Sequence, residues 1–262
     1  MAPSQQNDWL LWQLADSAFP AGGFAHSNGL EAAWQQGELQ DPAELTAFIE
    51  ASLSQLGHAA LPFMNEAMRA VIGDCGWLAK AGPPCVRNSG FSWAQSATTD
   101  DVPYNQKPMA VIELDCLCDS FITNHVANRA SRLQGQAMLA SAQRIFALPN
   151  LRPVRQPTAE TLTCRHLAPV FGVIAGALGL RRLTASRLFF FIHLRGLIAA
   201  AVRLGIVGPL QGQALQRSLT PCAEDVMLRC QNLSLDEIVQ TSPLLELWQA
   251  NQDRLYSRLF QS

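Results

Sequence analysis

The sequence runs to 262 residues with 19 basic and 21 acidic side chains, a formal net charge of −2, and 48% hydrophobic residues. That balance offers no electrostatic footprint for nucleic acid or anionic lipid, and the apolar share is ample for a buried core. Met1–Trp9 is polar and lacks the basic-then-apolar pattern of a secretion signal, and the seven cysteines are odd in number and scattered, so a cytoplasmic protein with reduced thiols is expected.

Helical periodicity dominates in chain order. Asp8–Phe19 predicts a first helix with Leu10, Leu11 and Leu14 on one face, broken by Pro20-Ala21-Gly22-Gly23. Ser27–Gln36 predicts a second, with Leu30 and Trp34 one turn apart. At Asp41-Pro42-Ala43-Glu44 a capping residue, a first-turn proline and a glutamate three residues on predict a helix start, with the helix running to about Leu56. A further helix is expected over Pro62–Ile72. Residues 73–109 are rich in Gly, Pro, Ser, Thr and Asn without helical period, and are expected to be an irregular insertion. Glu113–Phe146 predicts one long helix or two end to end. Pro149, Pro153 and Pro157 predict a linker. Helices are expected again over Leu162–Gly179, Thr184–Val207 (with Thr184 as its cap), Leu210–Gln231 and Pro243–Leu259. Gly172, Gly176 and Gly179 fall near one helix face and suit a close neighbour. No segment alternates as a strand, so the fold class is all-α, a single compact helical bundle over 1–262. Leu167–Leu180 is wholly apolar but only 14 residues long, and Leu188–Val202 carries His193 and Arg195, so no membrane span is expected.

Chemistry is sparse. Ala25-His26-Ser27-Asn28-Gly29 approaches the nucleophile elbow of serine hydrolases, which makes Ser27 the nucleophile of an alternative enzymatic reading. An elbow needs a buried strand before the serine, and Phe19-Pro20-Ala21-Gly22-Gly23 is unsuited to one. Cys116 and Cys118 point to opposite sides of a helix, and Cys164-Arg165-His166 shows no third ligand close in sequence. No firm metal set emerges. His26, in the glycine-rich junction, is the histidine marked for a metal or partner contact. No phosphate-binding glycine motif is present.

Asp16-Ser17-Ala18-Phe19-Pro20-Ala21-Gly22-Gly23-Phe24-Ala25-His26-Ser27-Asn28-Gly29-Leu30-Glu31 resembles the UreF signature D-S-x-[FL]-P-x-G-x-[FY]-x-[HY]-S-x-G-L-E. Three further stretches are similar to that family: Asn128–Gly135, His166–Leu180, and the tail Leu255-Tyr256-Ser257-Arg258-Leu259-Phe260-Gln261-Ser262. The resemblance implies an all-α urease accessory protein that catalyses nothing itself. It implies a complex, as a homodimer, with a UreD/UreH-type partner that recruits the UreG-type GTPase and loads nickel into the urease apoprotein. Nickel is then cargo, and no cofactor is kept. Partner contacts are implied at Phe24, His26, Ser27, Gly29, Leu30 and Glu31 in the junction, at Arg129 and Arg132 in mid-chain, and at Tyr256, Arg258 and Phe260 in the tail. Asp16, Pro20 and Gly22 are implied to shape the loop. Where the family tail carries His-Glu before the tyrosine, this chain has Gln252-Asp253, so any imidazole relay for nickel must be built differently here.

Overall fold

A computed structural model describes residues 4–73, 108–146, 148 and 164–262. The insertion expected over 73–109 and the proline linker thus fall almost wholly outside the described residues. Among the described residues the chain is helical and no strand forms. The helices are α1 (Ser4–Ala15), α2 (Leu30–Gln35), α3 (Pro42–Gln55), α4 (Leu61–Gly73), α5 (Val111–Phe121), α6 (His125–Ile145), α7 (Leu167–Ala177), α8 (Arg182–Arg203), α9 (Pro209–Cys230) and α10 (Pro243–Asn251). By contacts the chain divides into two compact units. One comprises Met1–Ala21, Phe63–Phe121 and Arg132–Ala185; the other comprises Gly22–Pro62, Ile122–Ser131 and Ser186–Ser262.

In the first unit, α7 packs on α5 and, through small residues, on α4. A methyl group on Gly172 would overlap the Met64 carbonyl, and one on Gly176 would crowd the Met68 carbonyl at 3.2 Å. Two of the three aligned glycines therefore set a helix approach. The third, Gly179, instead ends α7 in the left-handed region at φ 69°, where Leu180 N–H donates to Ala175 O at 3.0 Å. Phe63, Met64, Met68, Leu114, Met138 and Ile174 are among the fully buried side chains of this unit.

In the second unit, α9 and α10 pack on α3. The start of α3 is the expected capping box: Glu44 N–H donates to Asp41 Oδ1 at 2.8 Å and Asp41 N–H to Glu44 Oε2 at 3.2 Å. α3 ends at Gln55, close to the expected Leu56, and a π turn over Leu56–Ala60 follows it, where Leu61 N–H reaches back to Leu56 O. Pro62 accounts for the widening, because it has no N–H to give and its ring would clash with the carbonyl four residues earlier. At this turn Gly57 admits α9: a Cβ there would lie 2.8 Å from Val226 and 3.0 Å from Cys230 Sγ.

Several helix ends differ from expectation, each for a local reason. The first helix stops at Ala15 because Asp16 Oδ1 takes Ala18 N–H into a side-chain turn at 2.9 Å. Residues 113–146 break at Asn124, whose Oδ1 caps α6 by accepting Val126 N–H at 3.0 Å and Ala127 N–H at 3.2 Å. α8 begins at Arg182, so Thr184 lies within it; Ala185 N–H already donates to Arg181 O at 2.9 Å. The last helix ends at Asn251, and Leu255–Leu259 is not helical. By length and composition α8 alone of the described helices is apolar enough to cross a bilayer. More than half of its most apolar stretch is buried inside the protein, and His193 at its middle bonds Ser52 Oγ at 2.8 Å.

Candidate functional site

The signature junction and the tail meet in the second unit. Gly22 enters the junction at φ 73°, a short turn over Gly23–Ala25 follows, and Asn28 and Gly29 are both left-handed at φ 54° and 87°. Glycine is required at 29 twice over, since a Cβ there would also sit 3.0 Å from Gln249. These reversals deliver Glu31 into the interior on the first turn of α2, where it is 1% exposed.

The Glu31 carboxylate is the hub. Oε1 accepts Leu259 N–H at 2.6 Å, and Oε2 accepts Phe260 N–H at 3.1 Å and Gln252 Nε2–H at 2.7 Å. Gln35 Nε2 adds a long contact to Oε1 at 3.4 Å. A buried carboxylate is tolerable only when donors replace its water, and here the tail's own backbone does so. Those amides are thereby taken from any continuing helix, which is why the apolar period of Leu255–Leu259 does not become one.

The backbones then pair. Gln261 N–H donates to Ala25 O at 2.8 Å, and Ser27 N–H to Ser262 O at 2.5 Å. His26 Nδ1 lies 2.5 Å from Ser262 Oγ, and burial, reinforced by the Arg129 charge, lowers the His26 pKa to about 4. The imidazole is therefore neutral at physiological pH. Arg203, at the end of α8, closes the edge: its guanidinium lies 3.7 Å from the Phe24 ring centroid and 4.3 Å from that of Phe260, and donates to Phe24 O at 2.5 Å.

Outside this seat lies an ion cluster. Arg129 clasps Asp253 with two bonds of 2.8 and 3.0 Å, Arg258 adds a third at 3.0 Å, and His125 Nε2 stands 3.4 Å from the same carboxylate. The Arg129 hydrogen bond, then the charges of Arg129, Arg258 and His125, hold the Asp253 carboxyl below its usual range. Gln252 and Asp253 thus divide the work at the altered tail position. Gln252 is buried against Glu31 and Asp253 gathers cations, with an imidazole supplied from the start of α6.

The residues expected at a partner surface therefore separate. His26, Ser27, Gly29, Leu30, Glu31 and Phe260 are buried, and hold the chain's own tail. Tyr256 is fully exposed, Phe24 is 71% exposed, and Arg129 and Arg258 are exposed in the ion cluster. Arg132 is half-buried on α6 in the other unit. Of the loop-shaping residues, Asp16 makes the turn described above, Pro20 O accepts Ser141 Oγ–H at 2.8 Å, and Gly22 supplies the positive φ. The hydrolase reading does not survive. Residues 16–29 form turns with no preceding strand, and Ser27 Oγ is fully buried, donating to Ser262 O at 3.2 Å while His26 faces Ser262. Gln252 and Asp253 were marked in the sequence only as a departure from the family tail, and Arg203 and Asp115 carried no periodic or motif signal that sequence reasoning could use.

The first unit holds a separate cluster. Asp119 Oδ1 lies 3.0 Å from His166 Nε2, and Cys164 joins them, all three donor atoms within 4.8 Å of one another. Asp119 supplies the third donor atom beside Cys164 and His166, which spacing alone did not reveal. Among the described residues no comparable group includes His26. Cys116 is exposed and Cys118 buried, on opposite sides of α5 as expected; burial, with the Asp115 and Asp119 charges, raises the Cys118 thiol far above its usual range.

The described residues thus define an all-α protein whose signature sequence serves to seat its own tail. The chain belongs to the urease accessory protein UreF family: the family model described as UreF matches residues 39–220. It is 33% identical to urease accessory protein F of Oryza sativa subsp. indica, over 98% of this chain and 86% of that protein. It is 33% identical to the Arabidopsis thaliana protein of the same name, over 96% of this chain and 91% of that one. It is 26% identical to urease accessory protein UreF of Arthrobacter sp. (strain FB24), over the full length of both.

Proposed function

We propose that this chain is a non-catalytic, cytoplasmic scaffold of urease maturation. It binds a UreD/UreH-type partner, works as a homodimer in that complex, and recruits a UreG-type GTPase so that nickel reaches the urease apoprotein. The observation that carries the reading is the locked junction and tail. Rigidly held at Glu31, the tail leaves Tyr256, Arg258 and, across Arg203, Phe24 facing outward. Aromatic and arginine side chains on a pre-organised surface are the residue types that most often anchor interfaces. The near-neutral charge fits a protein partner better than nucleic acid or anionic lipid.

The test is co-purification with the UreD-type partner and then with UreG added, wild type against Arg258→Ala and Tyr256→Ala, with helicity checked. The expected result is a ternary complex for wild type that weakens roughly tenfold or more in the variants. A folded wild-type chain that binds neither partner would sink the reading.

A further inference from the structure

We infer that Asp119, Cys164 and His166 form a binding site for one first-row divalent cation, with a nitrogen, a sulfur and an oxygen donor. The site goes beyond the scaffold reading, in which nickel is cargo and no metal resides on the chain. It also stands apart from the tail seat, since its residues belong to the other unit.

Asp115 builds the geometry. Its fully buried carboxylate accepts three consecutive backbone N–H groups: Cys164 at 2.9 Å and Arg165 at 2.8 Å on Oδ2, and His166 at 2.9 Å on Oδ1. Three amides converging on one buried carboxylate fix the backbone of 164–166 before α7 begins. Arg165 takes φ 62°, a conformation that only a well-held segment sustains. Gly135 of α6 lies against the Arg165 carbonyl so closely that any side chain there would overlap it, which supports the segment from a second side. Residues 164 and 166 are thereby presented together. Asp119 follows Asp115 by one helical turn, so a single face of α5 supplies both the anchor and the third ligand.

The donor set then selects the cation. Thiolate, imidazole and carboxylate together suit zinc, nickel or cobalt and are ill-matched to calcium or magnesium, which take oxygen ligands. Metal–ligand bonds of about 2.0–2.3 Å place tetrahedral donors roughly 3.3–3.8 Å apart. Donors already within 4.8 Å need close by only about 1 Å. His166 is fully buried, whereas Asp119 and Cys164 are half-buried and lie where a cation can enter. On binding, the Cys164 thiol releases its proton to solvent, the proton of the His166–Asp119 hydrogen bond leaves Nε2 for solvent while Nδ1 of the neutral imidazole takes one up, Nε2 and the Asp119 carboxylate each bond the cation, and water fills a fourth position.

The test uses the full chain, stripped with chelator and kept reduced, titrated with Co2+ and then competed with Zn2+ or Ni2+. The expected result is one equivalent of Co2+ per chain with a thiolate-to-cobalt charge-transfer band. That band disappears in Cys164→Ser, and affinity for each metal falls roughly tenfold or more in both Cys164→Ser and Asp119→Asn. Cys116→Ser, which alters the exposed thiol on the same helix, leaves binding unchanged. Circular dichroism keeps misfolded variants out of the comparison. The inference is overturned by absence of stoichiometric binding, by binding undiminished in Cys164→Ser and Asp119→Asn, or by loss of the band in Cys116→Ser. Preference for Ni2+ over Zn2+ makes the site a station for the cargo, and the reverse makes it a structural zinc site; either upholds the site itself. Failure here leaves the partner test above intact, since that test reads the other unit.

Discussion

Glu31→Gln is the sharpest probe of the tail seat. The substitution keeps shape but turns one carboxylate oxygen into an NH2 group. Leu259 N–H and Phe260 N–H approach different oxygens, at 2.6 and 3.1 Å, so one of these two amides must now face a donor. The better arrangement keeps the oxygen at the Oε2 position, where Phe260 N–H and Gln252 Nε2 converge, and sacrifices Leu259. An orphaned buried N–H costs about 1–3 kcal/mol, and loss of charge weakens the bonds that remain, so tail seating should lose about 2–4 kcal/mol. Backbone hydrogen exchange reads this directly. Protection of the Leu259 amide should drop roughly 30- to 900-fold, with Phe260 less affected, while the amides of α3 stay protected. Unchanged Leu259 protection in a folded Glu31→Gln variant would refute the assignment of Glu31 as the hub.

Two further outcomes follow from the same coordinates. His26 titrates near 4 when folded and near 6.5 when unfolded, so the unfolded chain binds the extra proton in between; stability is full above about pH 6.5 and falls by about 3 kcal/mol as pH drops towards 4. Denaturation midpoints between pH 7.5 and 4.5 should show this slope together with that of His193, which burial also lowers to about 4, and His26→Gln should make it about half as steep; an equally steep profile in the variant counts against the imidazole. Gly172→Ala should cost about 3 kcal/mol because the added methyl meets a backbone carbonyl that has nowhere to go, whereas Gly196→Ala, with open space around it, should be neutral or stabilising by up to about 1 kcal/mol. Thermal melts of the two variants would separate them, and equal midpoints would argue against the α4–α7 approach.

Local chemistry was readable at several sites whose partners are local, though not at all of them. The Asp41–Glu44 box needs only four residues and forms as expected, and Gly172 and Gly176 announced a close helix pair by their spacing. Asn124 was hidden because apolar period runs on through both sides of it, although an asparagine ahead of a helix is a known cap. The tail misled in the opposite sense. Leu255 and Leu259 have helical spacing, yet the carboxylate that claims the tail amides lies 228 residues earlier. The junction was legible as a family signature, but its inward role was not, for the same reason: Ala25, His26, Ser27 and Glu31 bond residues of 252–262, which no local window contains. Asp119 escaped notice likewise, being separated from His166 by 47 residues.

The π turn ahead of Pro62 and the junction differ in when they can form. The turn needs only its neighbours, but Glu31 must wait until 228 further residues exist before Leu259 N–H can reach it.

 At synthesis rates of roughly 5–20 residues per second, that wait lasts on the order of ten to fifty seconds. Throughout it the carboxylate stays hydrated, and the loop that finally closes on it is long, with an entropy cost that grows only slowly with length. The signature segment is therefore made 228 residues before it is finished, which leaves a newly made chain open at this seat until the tail has been added.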